Sequence, residues 1–113
     1  AIINIRSPAG VVAVPGSGHY GAATAGVNSL TKTLSLEFAP NVRVNGIAPG
    51  YVPTVVMLTA LDTDEERLES MAQKRIPLKR LGTPDDMGST AVYLASDAGS
   101  WVTGQTIKVA GGM

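Results

Sequence analysis

Ser7 and Tyr20 are the residues whose types and spacing bear most directly on chemistry. Ser7 follows the short apolar run Ala1-Ile2-Ile3-Asn4-Ile5, and Tyr20 stands thirteen positions later, where a helical pattern begins. In a parallel α/β fold both positions fall at the carboxyl edge of the sheet, where ligands bind. There a serine hydroxyl and a tyrosine phenol can share one carbonyl oxygen through hydrogen bonds. The phenol can then exchange a proton as general acid or base, provided its pKa is brought down from the usual value of about 10. The alternative is a structural serine and a helix-start tyrosine that only packs.

Other residues suggest chemistry less directly. Gly16-Ser17-Gly18-His19-Tyr20-Gly21 fits G-x-G-x-x-G and opens a helix, the pattern of a dinucleotide loop. That fingerprint also requires an acidic residue ending the next strand. Glu37 stands near the required distance but inside the helical pattern, and Pro15 interrupts the turn from strand to loop. Ser7 with His19 allows a serine-hydrolase reading, but there is no G-x-S-x-G elbow and no acid placed to orient the imidazole. Asp62, Asp64, Glu65, Glu66 and Glu69 read as the acidic start of a helix rather than as metal ligands. Trp101 reads as a turn-packing residue, with a binding anchor as the alternative. Arg43, Arg75, Lys79 and Arg80 are too dispersed to mark a nucleic-acid surface.

The elements that must position Ser7 and Tyr20 follow from local pattern. Ala1 to Ile5 reads as a buried strand closed by Ser7-Pro8-Ala9-Gly10, and Val11 to Val14 as a second short apolar run. Tyr20 to Phe38 reads as a helix with an apolar stripe of Ala23, Val27, Leu30, Leu34 and Phe38, ended by Pro40. Val42 to Ala48 is the next strand, and Tyr51 to Ala60 is irregular. Thr63 with Glu66 predicts a capping box and a helix of about three turns. Thr83, Pro84, Asp85 and Asp86 predict the start of another helix, its inner face Met87, Ala91, Val92, Leu94 and Ala95. Thr106 to Ala110 is the last strand. This alternation predicts parallel strands with helical crossovers.

Composition narrows the classes. The chain has 113 residues, 44% hydrophobic and 16% charged, enough for a packed core and too apolar for a disordered tail. Nine basic and nine acidic residues cancel, so no net field favours nucleic acid or an anionic membrane. With no cysteine, there is no disulfide or thiolate chemistry. No leader and no long apolar span is evident, and a cytoplasmic protein is expected. The chain begins inside a strand and without Met, which suggests an incomplete domain.

Taken in order, the segments carry a resemblance. Ile3-Asn4-Ile5-Arg6-Ser7-Pro8-Ala9-Gly10, Tyr20, Leu30-Thr31-Lys32-Thr33-Leu34 and Arg43-Val44-Asn45-Gly46-Ile47-Ala48-Pro49-Gly50 form the first part of a series. Pro77-Leu78, Arg80 to Asp86, Tyr93 to Asp97, Val102 to Gln105 and Gly111-Gly112-Met113 complete it. The whole chain resembles the short-chain dehydrogenase/reductase family, from that family's fifth strand to near its C-terminus. The resemblance implies three parallel strands with flanking helices, the C-terminal part of a Rossmann-like doubly wound sheet. Residues 1–113 would be a single partial domain lacking the N-terminal dinucleotide-binding half. Ser7 would orient the substrate and Tyr20 would be the catalytic tyrosine, acting on an alcohol/carbonyl pair with NAD or NADP. Pro49, Gly50, Val52 and Thr54 would pass the nicotinamide, and Val55 to Ile76 would be the variable substrate lid.

The departures are informative. The family places a lysine one helical turn after the tyrosine, where its charge lowers the phenol's pKa and its ammonium grips the ribose. Thr24 stands there instead. Arg6 replaces a small residue and Ala110 a common aspartate. The family's glycine-rich phosphate loop, its ribose selector, its Asn-Ala-Gly stretch and its catalytic asparagine have no counterpart in the 113 residues. The expected function is therefore a fragment or remnant of a short-chain NAD(P)-dependent oxidoreductase, impaired as this chain alone. It is expected to be a homo-oligomer or to require a missing N-terminal segment. The alternatives are a non-catalytic oligomerisation module and a repurposed serine-dependent hydrolase.

Overall fold

In the computed structural model, which describes residues 1–113, three strands form one parallel sheet. They are β1 (Ile2–Ile5), β2 (Val44–Pro49) and β3 (Thr106–Val109), in that spatial order. Ile2 pairs with Val44 and Ile5 with Ile47 on one side of β2, while Gly46 pairs with Thr106 and Pro49 with Val109 on the other. The helices are α1 (Gly18–Glu37), α2 (Val55–Ala60), α3 (Glu65–Arg75) and α4 (Pro84–Ala95). This is the three-stranded parallel α/β architecture expected from the alternation of elements. Because the strands are parallel, the residues that follow them (Ser7, Gly50 and Ala110) share one edge of the sheet.

β2 is the structural centre. Val44, Asn45, Ile47 and Ala48 are essentially inaccessible, as expected for a strand covered on both faces and paired on both sides. Asn45 links it to the approach to β3: its Nδ2 donates to Val102 O at 2.8 Å, and its Oδ1 accepts from Gln105 N at 3.0 Å. Arg43, just before β2, donates to the carbonyls of Leu94 (2.6 Å), Val102 (3.2 Å), Ala95 (3.4 Å) and Ser96 (3.2 Å). Three of these lie in the last turn and end of α4, where carbonyls have no helical partner and a positive charge complements the dipole.

The helix starts follow local chemistry. Thr83 caps α4 and Pro84 occupies its first turn, as the sequence predicts, and Asp86 completes a capping box with Thr83. In α3 the expected cap Thr63 gives way to Asp64, whose carboxylate accepts from Arg67 N at 2.8 Å. A carboxylate at the N-cap also meets the positive end of the dipole, which a threonine hydroxyl does not. Thr54 caps α2 inside the stretch that reads as irregular from sequence, accepting from Met57 N at 3.2 Å. Val11 to Val14 is an exposed loop, not part of the sheet.

Two expected inner faces are corrected. In α1 the buried residues are Thr24, Thr31 and Ser35, while Ala23, Leu30 and Phe38 of the expected stripe are exposed. Polar pairing accounts for this: Asn4 Nδ2 donates to Thr31 Oγ1 at 2.9 Å, and Thr106 Oγ1 donates to Asn28 Oδ1 at 3.0 Å. The helix is thus fastened to β1 and β3 by side-chain hydrogen bonds rather than by an apolar stripe. In α4, Leu94 is fully buried with Met87 and Ala91 partly so, whereas Val92 is 67% exposed and Ala95 also faces outward. An apolar cluster of Leu68, Ala72, Ile76 and Leu81 holds α3 over the carboxyl edge, with Tyr51 and Met113 packed against it.

Candidate active site

At the carboxyl edge, the ends of β1 and β2 bound a cleft of about 360 Å³. Ser7, Pro8 and Ala9 form one wall and Pro49, Gly50 and Tyr51 another, with Met57 from α2 above and Lys108 and Ala110 from the end of β3 beside them. Gly50 permits this approach of β2 to β3. A Cβ there would lie 2.7 Å from the Cα and Cβ of Ala110, closer than packing allows.

Ser7 is pre-oriented. It caps the short 3-10 turn Pro8–Gly10, and its Oγ accepts from Ala9 N at 3.2 Å. An oxygen occupied as an acceptor leaves the hydroxyl hydrogen as its free function, and a donor into Oγ polarises that O–H. Ser7 therefore offers a hydrogen bond to an oxygen placed in the cleft.

Tyr20 lies in the first turn of α1 with its side chain half exposed and its phenol unbonded to protein. It is outside the lining of the Ser7 cleft. The structure thus joins Ser7 with Pro49 and Gly50, and leaves Tyr20 at the start of the helix nearby. Thr24 is buried, and its Oγ1 donates back to the carbonyls of Tyr20 at 3.1 Å and Gly21 at 3.2 Å. Its hydroxyl is engaged by its own helix and supplies no charge to the phenol above it.

The loop after β1 rests directly on this first turn. A Cβ on Gly10 would meet Ala25 N at 2.7 Å and both Thr24 C and Thr24 Oγ1 at 2.9 Å, while a Cβ on Gly21 would meet Ala9 O at 3.1 Å. Two glycines therefore set the spacing between the Ser7 segment and the Tyr20 helix.

Val52 turns its side chain inward, 8% exposed and against Gly82, while its carbonyl accepts from Thr54 N at 2.8 Å. Thr54 Oγ1 accepts from Met57 N in the α2 cap, so its hydroxyl hydrogen stays free at the exposed start of the helix. Val52 thus offers backbone at this edge and Thr54 a side-chain donor. The glycine pattern from Gly16 to Gly21 does open α1, but the exposed loop Val11 to Val14 precedes it instead of a strand. A phosphate-binding βα turn requires that strand, so this pattern is not one. The edge that Gly50 and Thr54 leave open can receive a planar ring such as a nicotinamide, and the Gly16 to Gly21 pattern supplies no pyrophosphate cradle.

The other charged group near this edge is structural. Arg80 holds Asp86 in a two-pronged contact of 2.7 and 2.8 Å. That guanidinium, with the Thr83 N–H at 2.8 Å, holds the Asp86 carboxyl well below the usual carboxylate range, and Asp86 in turn raises Arg80. Lys108 is the cleft residue that sequence reasoning missed. No local pattern marks it, because only the pairing of β3 with β2 brings it beside Ser7.

The protein-family model described as Enoyl-(Acyl carrier protein) reductase matches residues 1–113. The 3-oxoacyl-[acyl-carrier-protein] reductase FabG of Thermotoga maritima is 40% identical over 114 residues, covering 100% of this chain and 45% of the relative. A short-chain dehydrogenase/reductase from Brucella melitensis, described as a glucose/ribitol dehydrogenase, superimposes with a TM-score of 0.87 at 40% identity over 98% of this chain and 44% of its own. The NADPH-bound structure of a Pseudomonas aeruginosa PAO1 short-chain oxidoreductase, described as containing an atypical catalytic center, gives 0.86 at 33% identity over 99% and 45%. The chain spans less than half the length of the curated relatives it matches. No helix is long and apolar enough to cross a membrane. The family model's match over the full chain, with relatives about 40% identical and the same fold, establishes that the chain belongs to the short-chain dehydrogenase/reductase family.

Proposed function

We propose that these 113 residues are the substrate-handling part of a short-chain NAD(P)-dependent oxidoreductase acting on an alcohol/carbonyl pair. The observation that carries this reading is the cleft at the carboxyl edge, walled by Ser7 on one side and Pro49 and Gly50 on the other. Ser7 donates to the substrate oxygen. Tyr20 gives that oxygen a proton in reduction, or takes one in oxidation. Pro49, Gly50, Val52 and Thr54 pass the nicotinamide, which supplies or accepts hydride when bound. The domain is partial in this reading, with the phosphate-binding half outside these residues. Its uncovered faces are met by that half or by further copies of the chain.

Thr24 makes the chain alone a weak catalyst. A neutral hydroxyl already bonded to Tyr20 O and Gly21 O cannot stabilise a phenolate as an ammonium would. Calorimetric titration with NADH and NADPH is expected to give no sub-millimolar binding by the 113-residue chain. Ketone reduction at high cofactor concentration is expected near background, rising in Thr24→Lys and falling again in Thr24→Lys with Tyr20→Phe. Sub-millimolar dinucleotide binding would refute the partial-domain reading. Turnover indifferent to Tyr20→Phe would refute the assignment of the proton to Tyr20.

A further inference from the structure

The cleft beside Ser7 is mainly apolar, with Val12, Val14, Met57, Ala110 and Met113 among its walls. Lys108 carries the single charged side chain that lines it. Strand alternation accounts for its placement. Thr106 faces α1, to which it is hydrogen-bonded through Asn28, and Lys108 two residues on faces the same way. It pairs with Ala48 at the end of β2, one residue before Pro49. The ion pairs of the protein are Arg67 with Asp64 and Arg80 with Asp86, so no Asp or Glu side chain pairs with Lys108. Its side chain makes no hydrogen bond to protein either, in contrast to Arg43, which is fully engaged. An uncommitted ammonium at the rim of an apolar cleft, its aliphatic stem along the wall, suits a ligand with an apolar body and a negative head.

We propose that Lys108 is a specificity residue, and that the substrate is an amphiphilic anion whose apolar part fills the cleft while its negative group meets Lys108. This rests on the reading of the cleft as the substrate site and adds the class of molecule that enters it. The competing role for this lysine is protection of an exposed strand edge, since β3 has a neighbour on one side only. An edge guard has no preference among small ligands, so a matched pair of ligands separates the two roles.

The experiment is a titration of the 113-residue chain with hexanoate and with hexanamide, followed by the backbone amide shifts of Ser7, Gly50 and Ala110. Hexanoate is expected to bind about fivefold more tightly than hexanamide, the scale of a partly exposed charge pair. The preference should collapse to near equality in Lys108→Gln, persist in Lys108→Arg and shrink at high salt. Lys108 is exposed, so these variants fold, and the dispersion of the same spectra verifies it. Equal affinities in the native chain, a preference that survives in Lys108→Gln, or no binding of either ligand would each overturn the proposal. No cofactor or turnover enters the measurement. Failure of the hydride-transfer tests therefore leaves it standing, and its own failure leaves the roles of Ser7 and Tyr20 untouched.

Discussion

At the scale of single residues, this site is decided by which polar groups are already occupied. Ser7 has its oxygen engaged and its proton free, whereas Thr24 has spent its proton on its own helix. Asp86 is a third case, with two nitrogens of Arg80 and the Thr83 N–H converging on one carboxylate. Its folded pKa is depressed, so the contact stabilises α4 above the pKa of an unfolded aspartate, about 3.9. That stabilisation is lost only as pH falls from there through the lower folded value. A carbon-detected titration of Asp86 should find its midpoint well below that of an unfolded aspartate, and Arg80→Gln should bring it back up. A midpoint unchanged by Arg80→Gln would exclude the guanidinium as the principal cause. Thr83 and Asp86 were legible from sequence as a helix start, because a cap and the acids after it are local. Lys108 was not, because its neighbours Ser7 and Pro49 are about a hundred and about sixty residues away in the chain and are joined to it only by strand pairing.

At the scale of elements, Arg43 does the most connecting. It binds the end of α4 and the turn before β3, so one side chain ties helix, turn and central strand together. Arg43→Met would leave several carbonyls without donors while keeping most of the packing stem. A loss of about 2 kcal/mol is expected in denaturant unfolding, from the charge-assisted hydrogen bonds to part-buried carbonyls. A change below about 0.5 kcal/mol, the usual surface effect, would mean that water replaces the guanidinium at no cost. The succession of elements along the chain, the extent of α1 and the start of α4 could be read from apolar periodicity, from caps and from Pro and Gly positions. The inner face of α1 could not. Periodicity locates apolar stripes, and α1 is held to the sheet by Thr31 and Asn28, whose partners Asn4 and Thr106 lie on other elements. Likewise Thr63 and Asp64 are adjacent candidates for one cap, and only the N–H of Arg67 distinguishes them.

At the scale of the whole molecule, the surface is larger than the mass warrants. The chain exposes 7147 Å², where a compact monomer of this mass exposes roughly 5,800 Å². The radius of gyration is 15.0 Å, against about 13 Å for a compact chain of this length. Large side chains account for much of the excess: Trp101 is 98% exposed, Leu36 81% and Ile5, on the single-sided strand β1, 61%. Surface of this kind is expected to be covered by other protein. Sedimentation velocity should therefore show association that grows with concentration over the micromolar range, and a monodisperse monomer throughout would count against it.

The contact between Gly10 and the first turn of α1 has a consequence for the history of such a chain. The atoms that Gly10 would strike are the backbone atoms Ala25 N and Thr24 C together with the Thr24 hydroxyl oxygen, so loop and helix meet at position 24 itself. Thr24 is buried there, and a side chain can grow at position 10 or at position 24 only where the other gives way. The two positions are therefore expected to vary together, under one steric constraint.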